Sequence, residues 1–129
     1  MKATQVVRTS LWISFPFNLG AAYALALPSS QLGRLLGLSE SVDPLYSALC
    51  AFLIGMFGFA YAWLALQPKL DQPLLCLGAI GKTGVFVLAV VLWLSQVASG
   101  AIVVVASGDV AFALLWFWWL VWSKGSHED

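Results

Sequence analysis

Charge is what this sequence has least of. Only 9% of its 129 residues are Asp, Glu, Lys or Arg, six basic against six acidic, for a net charge of zero. Soluble globular domains carry about 25% charged residues, so these few cannot cover a surface that faces water. No basic run exists, which excludes a nucleic-acid partner. Histidine is almost missing as well, with the single His127 in the C-terminal tail. With two cysteines, Cys50 and Cys76, it makes no four-ligand zinc centre, and it leaves no haem or di-metal site. No metal and no cofactor is therefore expected. A Ser/His/Asp set and a paired-carboxylate motif are both absent. The two cysteines also make a poor disulfide. They fall near the starts of successive spans, so antiparallel packing separates them by roughly 20–25 Å of helix rise, against the ~6 Å Cα distance a bridge needs.

Apolar sequence fills the space left by charge. Hydrophobic residues make up 61% of the chain and aromatics 14%, and mean hydropathy is +0.91. Leu74 to Gln96 is an almost unbroken apolar stretch with one cation, Lys82. At about 1.5 Å per residue it crosses a ~30 Å hydrocarbon core. Three further apolar runs bring the expected spans to about 7–27, 45–66, 74–96 and 101–122. The fold class expected is an all-α membrane protein, a single domain built as an antiparallel bundle of four transmembrane helices.

The connections carry their own signals. Met1–Ser10 is short and polar, and Leu11–Leu27 follows it as an apolar run containing Pro16 and Asn18. The basic start and Ala24-Leu25-Ala26 resemble a signal peptide, but the polar residues within the run and the spans after it favour an uncleaved first helix. In Pro28–Pro44, Leu32, Leu35, Leu36 and Leu38 are spaced as in a short surface helix closed by Gly37. Asp43-Pro44 reads as an N-cap with proline at the first helical position. Residues 67–73 form a tight polar turn that predicts a hairpin of the second and third spans. After Gln96, Val97–Gly100 is a break. The fourth helix is expected to start either near Ala101 or, with Ala101–Ala106 re-entrant, near Ser107.

Small residues mark packing faces. Ala51, Gly55, Gly58 and Ala62 recur at spacings of four, three and four, and Gly78, Gly81 and Gly84 surround Lys82. Both sets predict close helix approach. Trp116, Trp118, Trp119 and Trp122 followed by Lys124 read as an interfacial aromatic belt with a cationic anchor. Four spans put Lys2, Arg8, Lys69 and Lys124 on one side and Arg34 alone on the other. The excess of positive charge then places both termini in the cytoplasm, in a multi-pass protein of the cell membrane.

Two charges fall inside spans. Lys82 lies about 13 Å from one membrane edge and Asp109 about 12 Å from the other, so their Cα depths differ by only about 5 Å. A lone lysine there costs about 2.5–3.5 kcal/mol. The Leu, Ile, Val and Phe residues of the same span return roughly 4–7 kcal/mol on the same kind of scale, so insertion survives the charge. The inserted lysine still needs a partner, which predicts a Lys82–Asp109 ion pair. Asn18 and Gln96 are expected to line the same interior pocket. The bland alternatives are a pair that only fixes helix register, a snorkelling Lys82 with Asp109 as an N-cap, and ordinary interhelical hydrogen bonds from Asn18 and Gln96. Gly81-Lys82-Thr83 is not a phosphate loop, because Cys76 stands where the motif needs glycine and no strand precedes it.

Gly78-Ala79-Ile80-Gly81-Lys82 and Gly108-Asp109-Val110-Ala111-Phe112-Ala113-Leu114-Leu115 carry a resemblance to the DoxX-like small membrane proteins. The resemblance implies four helices and a link to quinone or lipid chemistry, and it assigns no catalytic residue. The leading expectation is a non-catalytic protein. It would bind an apolar small molecule (a lipid or a quinone) at Lys82 and Asp109, or serve as a subunit beside a membrane-protein partner or in a homo-oligomer. The alternatives are a membrane enzyme or redox-complex subunit with the pair handling protons, and a component of a proton- or ion-coupled transporter.

Overall fold

A computed structural model describes residues 2–125, so His127 lies outside the described residues. Those residues form four long helices and one short one, with no strand among them. The elements are α1 (Ala3–Ala26), α2 (Gln31–Leu35), α3 (Pro44–Leu66), α4 (Gln72–Leu94) and α5 (Gly100–Gly125). By length and composition α3, α4 and α5 qualify to cross a membrane. Helix α1 is 24 residues long but falls short on composition. Its polar residues Ser10, Ser14 and Asn18 are the cause, and all three are buried. The outward faces of the long helices are apolar, with Phe52, Trp63, Leu88, Val104 and Leu114 among the exposed side chains.

Local sequence sets the helix ends. Asp43 accepts a hydrogen bond from the Leu45 amide at 2.8 Å, with Pro44 opening α3. Asp71 accepts one from the Leu74 amide at 2.9 Å, and Pro73 sits in the first turn of α4. That cap starts α4 at Gln72, two residues before the apolar run. Ser30 caps α2 through the Gly33 amide. Gly37 then closes α2 at φ +68°, a left-handed conformation that favours glycine. Helix α5 is continuous from Gly100, so Ala101–Ala106 is helical and Asp109 lies inside the helix rather than at its N-cap.

The expected hairpin of the second and third spans is corrected. Helix α1 packs along α3, and α4 packs along α5, whereas α3 and α4 touch little. Two helix pairs result, joined chiefly between α1 and α5. The N-terminus of α1, the turn after α3 and the C-terminal end of α5 meet at one end of the molecule. There Arg8 donates to the carbonyls of Ala65 (2.6 Å) and Pro68 (2.8 Å), Trp119 to Thr4 Oγ1 (3.4 Å) and Gln72 to Ser123 Oγ (3.2 Å). Arg8 thus satisfies carbonyls that the end of α3 leaves open. At the opposite end Ser99 Oγ donates to the Leu36 carbonyl at 2.6 Å, and Ser47 Oγ donates to the Leu25 carbonyl.

The core lies toward the Arg8 end and centres on Val7, Leu11, Tyr61, Leu64, Leu75 and Trp116. This overturns half of the expected aromatic belt. Trp116 is fully buried and donates to Ser10 Oγ at 2.8 Å, and Trp119 is also buried. Trp118 and Trp122 are exposed and stack on each other. Helical periodicity explains the split, because 116 and 119 share a face that 118 and 122 do not. Cys50 and Cys76 are free thiols.

Candidate functional site

The centre of the molecule holds one polar cluster, drawn from both helix pairs. Lys82 Nζ donates to Asp109 Oδ1 at 2.6 Å and to Asn18 Oδ1 at 3.1 Å. Lys82 is 3% exposed and Asp109 8%, so the two charges are compensated by each other rather than by water. Asn18 in turn donates through Nδ2 to the Ile54 carbonyl at 3.1 Å. The amide therefore ties α4 to both α1 and α3. The ion pair expected from the depths of the two charges is present.

Aromatic rings surround the ammonium. Its nitrogen lies 5.4 Å from the ring centre of Phe17, 5.1 Å from Tyr61, 5.2 Å from Phe112 and 5.8 Å from Trp116. These distances are within the ~6 Å reach of a cation–π interaction, which is worth about 2 kcal/mol where water is excluded. The rings also hold one another: Tyr61 and Trp116 are 5.0 Å apart and Phe17 and Phe112 6.0 Å. The face shared by Asp109, Phe112 and Trp116 was readable from i, i+3 and i+7 spacing. Phe17 and Tyr61 were not foreseen. The signal for Tyr61 was its place three residues after Gly58 on a span without charge, which puts it on the buried side.

The glycines divide sharply. At Gly78 an added Cβ would stand 2.8 Å from Tyr61 Cε1 and 3.2 Å from Trp116 Cζ3, so only glycine lets the two rings approach α4 there. At Gly58 it would stand 3.1 Å from Asn18 Cβ. Gly55 is looser, with Ala22 Cβ at 3.8 Å, while Ala51 is buried and Ala62 half-buried. Gly81 and Gly84 do not pack as expected: both are exposed, and an added Cβ would meet nothing within 4 Å. Gln96 is the other correction. Helix α4 stops at Leu94, and Gln96 is exposed in the turn at φ +61°, away from the pocket.

A cavity of about 210 Å³ opens beside the cluster. Its polar edge is Asn18, Lys82, Asp109 and Tyr61, and Phe17, Leu53, Ile54, Phe57 and Val85 form its apolar walls. Leu53, Gly81 and Val85 on its rim are exposed on the outer surface, so the cavity opens sideways in the seam between α3 and α4. A second cavity of about 180 Å³ shares Phe17, Ala21, Ile54, Val85 and Asp109 with the first and runs toward Leu36 and Leu38. No family model, curated protein or solved structure matches the chain. The site must therefore be judged on its own chemistry. It presents a compensated ion pair at the blind end of an apolar recess, and among the described residues no cluster of potential ligands could hold a metal ion.

Proposed function

We propose that the chain is a non-catalytic integral membrane protein of four transmembrane helices that holds an apolar small molecule, a lipid or a quinone, in the recess beside Lys82. In this reading α1 is the fourth span, its polar side chains turned inward. Both termini lie on the cytoplasmic side, because Lys2, Arg8, Lys69 and Lys124 belong to the end that carries the turn after α3. The DoxX-like resemblance of the residues around Lys82 and Asp109 points the same way, toward quinone or lipid chemistry.

The observation that carries the proposal is the shape and lining of the recess. It is apolar along its walls, polar at its inner end, and open where helices α3 and α4 face the bilayer. Ligand sites typically combine apolar walls with a few convergent polar groups. At about 210 Å³ the first cavity is smaller than the roughly 300–1,000 Å³ of drug-sized sites, so it fits a head group, with the tail left in the second cavity or in lipid. Intramembrane charges mark functional sites by default.

Native mass spectrometry of protein released from lipid nanodiscs tests this, with wild type beside Lys82→Met. A discrete extra mass on the wild type that the variant lacks is the expected result. A bare protein in both would sink the binding reading and leave the charges structural.

A further inference from the structure

The atoms left open in the recess specify what kind of head group it takes. Asp109 Oδ1 is used by Lys82, but Asp109 Oδ2 accepts no hydrogen bond among the described residues. Tyr61, whose ring packs on Trp116 and faces the Lys82 ammonium, makes no hydrogen bond through Oη among the described residues. Neither atom is sealed: among the described residues, the one buried side-chain oxygen or nitrogen that is both enclosed and unpartnered is Ser14 Oγ. Asp109 and Tyr61 both line the recess. The cavity thus offers a carboxylate acceptor from α5 and, from α3, a phenol that can donate. The ammonium holds and neutralises Asp109 but donates little directly to a ligand, because two of its three protons go to Asp109 and Asn18 and the rings crowd the third.

Charge narrows the choice. Lys82 and Asp109 neutralise each other at 2.6 Å, so a charged ligand would bring an unpaired charge into a low-dielectric pocket, which is strongly unfavourable. An acceptor-only group, such as a carbonyl or an ether, would leave Asp109 Oδ2 without a donor. We infer that the recess selects a neutral apolar molecule ending in a hydroxyl, which donates to Asp109 Oδ2 and accepts from Tyr61 Oη. Between an oxidised carbonyl head and its reduced hydroxyl form, the site takes the hydroxyl. The molecule enters sideways past Gly81. This rests on the recess being a ligand site, and it adds the chemistry of the head group.

A matched pair of probes separates the two claims: 4-hexylphenol and 4-hexylanisole, which differ by the donor proton and one methyl group. Each is titrated as a mole fraction of nanodisc lipid, and occupancy is read by native mass spectrometry. The expected result is at least about tenfold tighter binding of the phenol, the value of one hydrogen bond to a charged acceptor. Asp109→Asn keeps an oxygen for Lys82 and replaces the open acceptor by a donor, so the preference should fall toward one. Gly81→Phe and Ala21→Leu fill the mouth and the junction of the two cavities and should abolish binding of both probes. At Gly81 an added Cβ meets nothing within 4 Å, so that variant should fold. Equal binding of the two probes, lost in the filling variants, overturns the hydroxyl assignment and leaves the recess as a binding site. An unchanged preference in Asp109→Asn overturns the role of Asp109. Failure of both probes to bind, or binding untouched by both filling variants, overturns the recess reading and this inference together.

Discussion

The ion pair gives the sharpest stability prediction, because its two halves are not equivalent. Replacing Lys82 by Met leaves a carboxylate that is 8% exposed with no cation beside it, and it also takes a donor from Asn18 Oδ1. Removing one partner of a buried pair typically costs about 3–5 kcal/mol. Replacing Asp109 by Leu strands the ammonium, for which about 2.5–3.5 kcal/mol is the starting cost. The ammonium keeps Asn18 and four rings within 5.8 Å, and cation–π attraction of about 2 kcal/mol offsets much of that. The expected loss for Asp109→Leu is therefore only about 0.5–1.5 kcal/mol. The double variant removes both charges and leaves two apolar side chains of similar bulk, so it should be more stable than Lys82→Met. The coupling energy should then exceed the Asp109→Leu loss, so about 1 kcal/mol or more. Equilibrium unfolding in mixed micelles of rising dodecyl sulfate content, followed by tryptophan fluorescence, measures all four corners of the cycle. Additivity within about 0.5 kcal/mol, or a larger loss from Asp109→Leu than from Lys82→Met, would refute the reasoning.

Two further predictions concern packing and orientation. Gly78→Ala should destabilise by about 1–3 kcal/mol in the same assay, because its methyl group meets Tyr61 and Trp116 in the core, whereas Gly81→Ala should be neutral or stabilising by up to about 1 kcal/mol through helix propensity. With Cys50 and Cys76 replaced by serine, Lys2→Cys, Lys69→Cys and Lys124→Cys should all react with an impermeant maleimide from the cytoplasmic side and Glu40→Cys from the other; reaction of Lys2→Cys on the side opposite Lys69→Cys would remove α1 from the set of spans.

Much of this was legible in the chain because the rules that govern it are one-dimensional. Apolar run length located α3, α4 and α5, and Asp43-Pro44 and Gly37 fixed ends through local backbone chemistry. Rise per residue brought Lys82 and Asp109 to a common depth before any packing was known. Rotation about the helix axis was harder to read. Gly78, Gly81 and Gly84 look alike in sequence, but only Gly78 faces Tyr61, since three and six residues further on the helix has turned toward the outside. Gln96 was lost for a different reason. A helix that ends in Ser95-Gln96 rather than at glycine gives no obvious stop, and the left-handed turn was taken by a residue that seldom adopts it. Which helices pair was not readable either: the short turn after α3 suggested a hairpin, and the side chains of α1 decided otherwise.

The proximity of Lys82 and Asp109 has a consequence for biosynthesis. The two residues are 27 positions apart, on helices joined by one short turn. At about 5–20 residues per second, roughly one to five seconds pass between synthesis of the cation and of its counter-ion. Through that interval α4 is an apolar segment with an uncompensated charge, stable in lipid only by the margin its aliphatic residues provide. With α5 in place, Lys82 and Asp109 make the last two helices an electrically neutral pair. Asn18, supplied by the earlier pair, accepts a hydrogen bond from Lys82 of the later one.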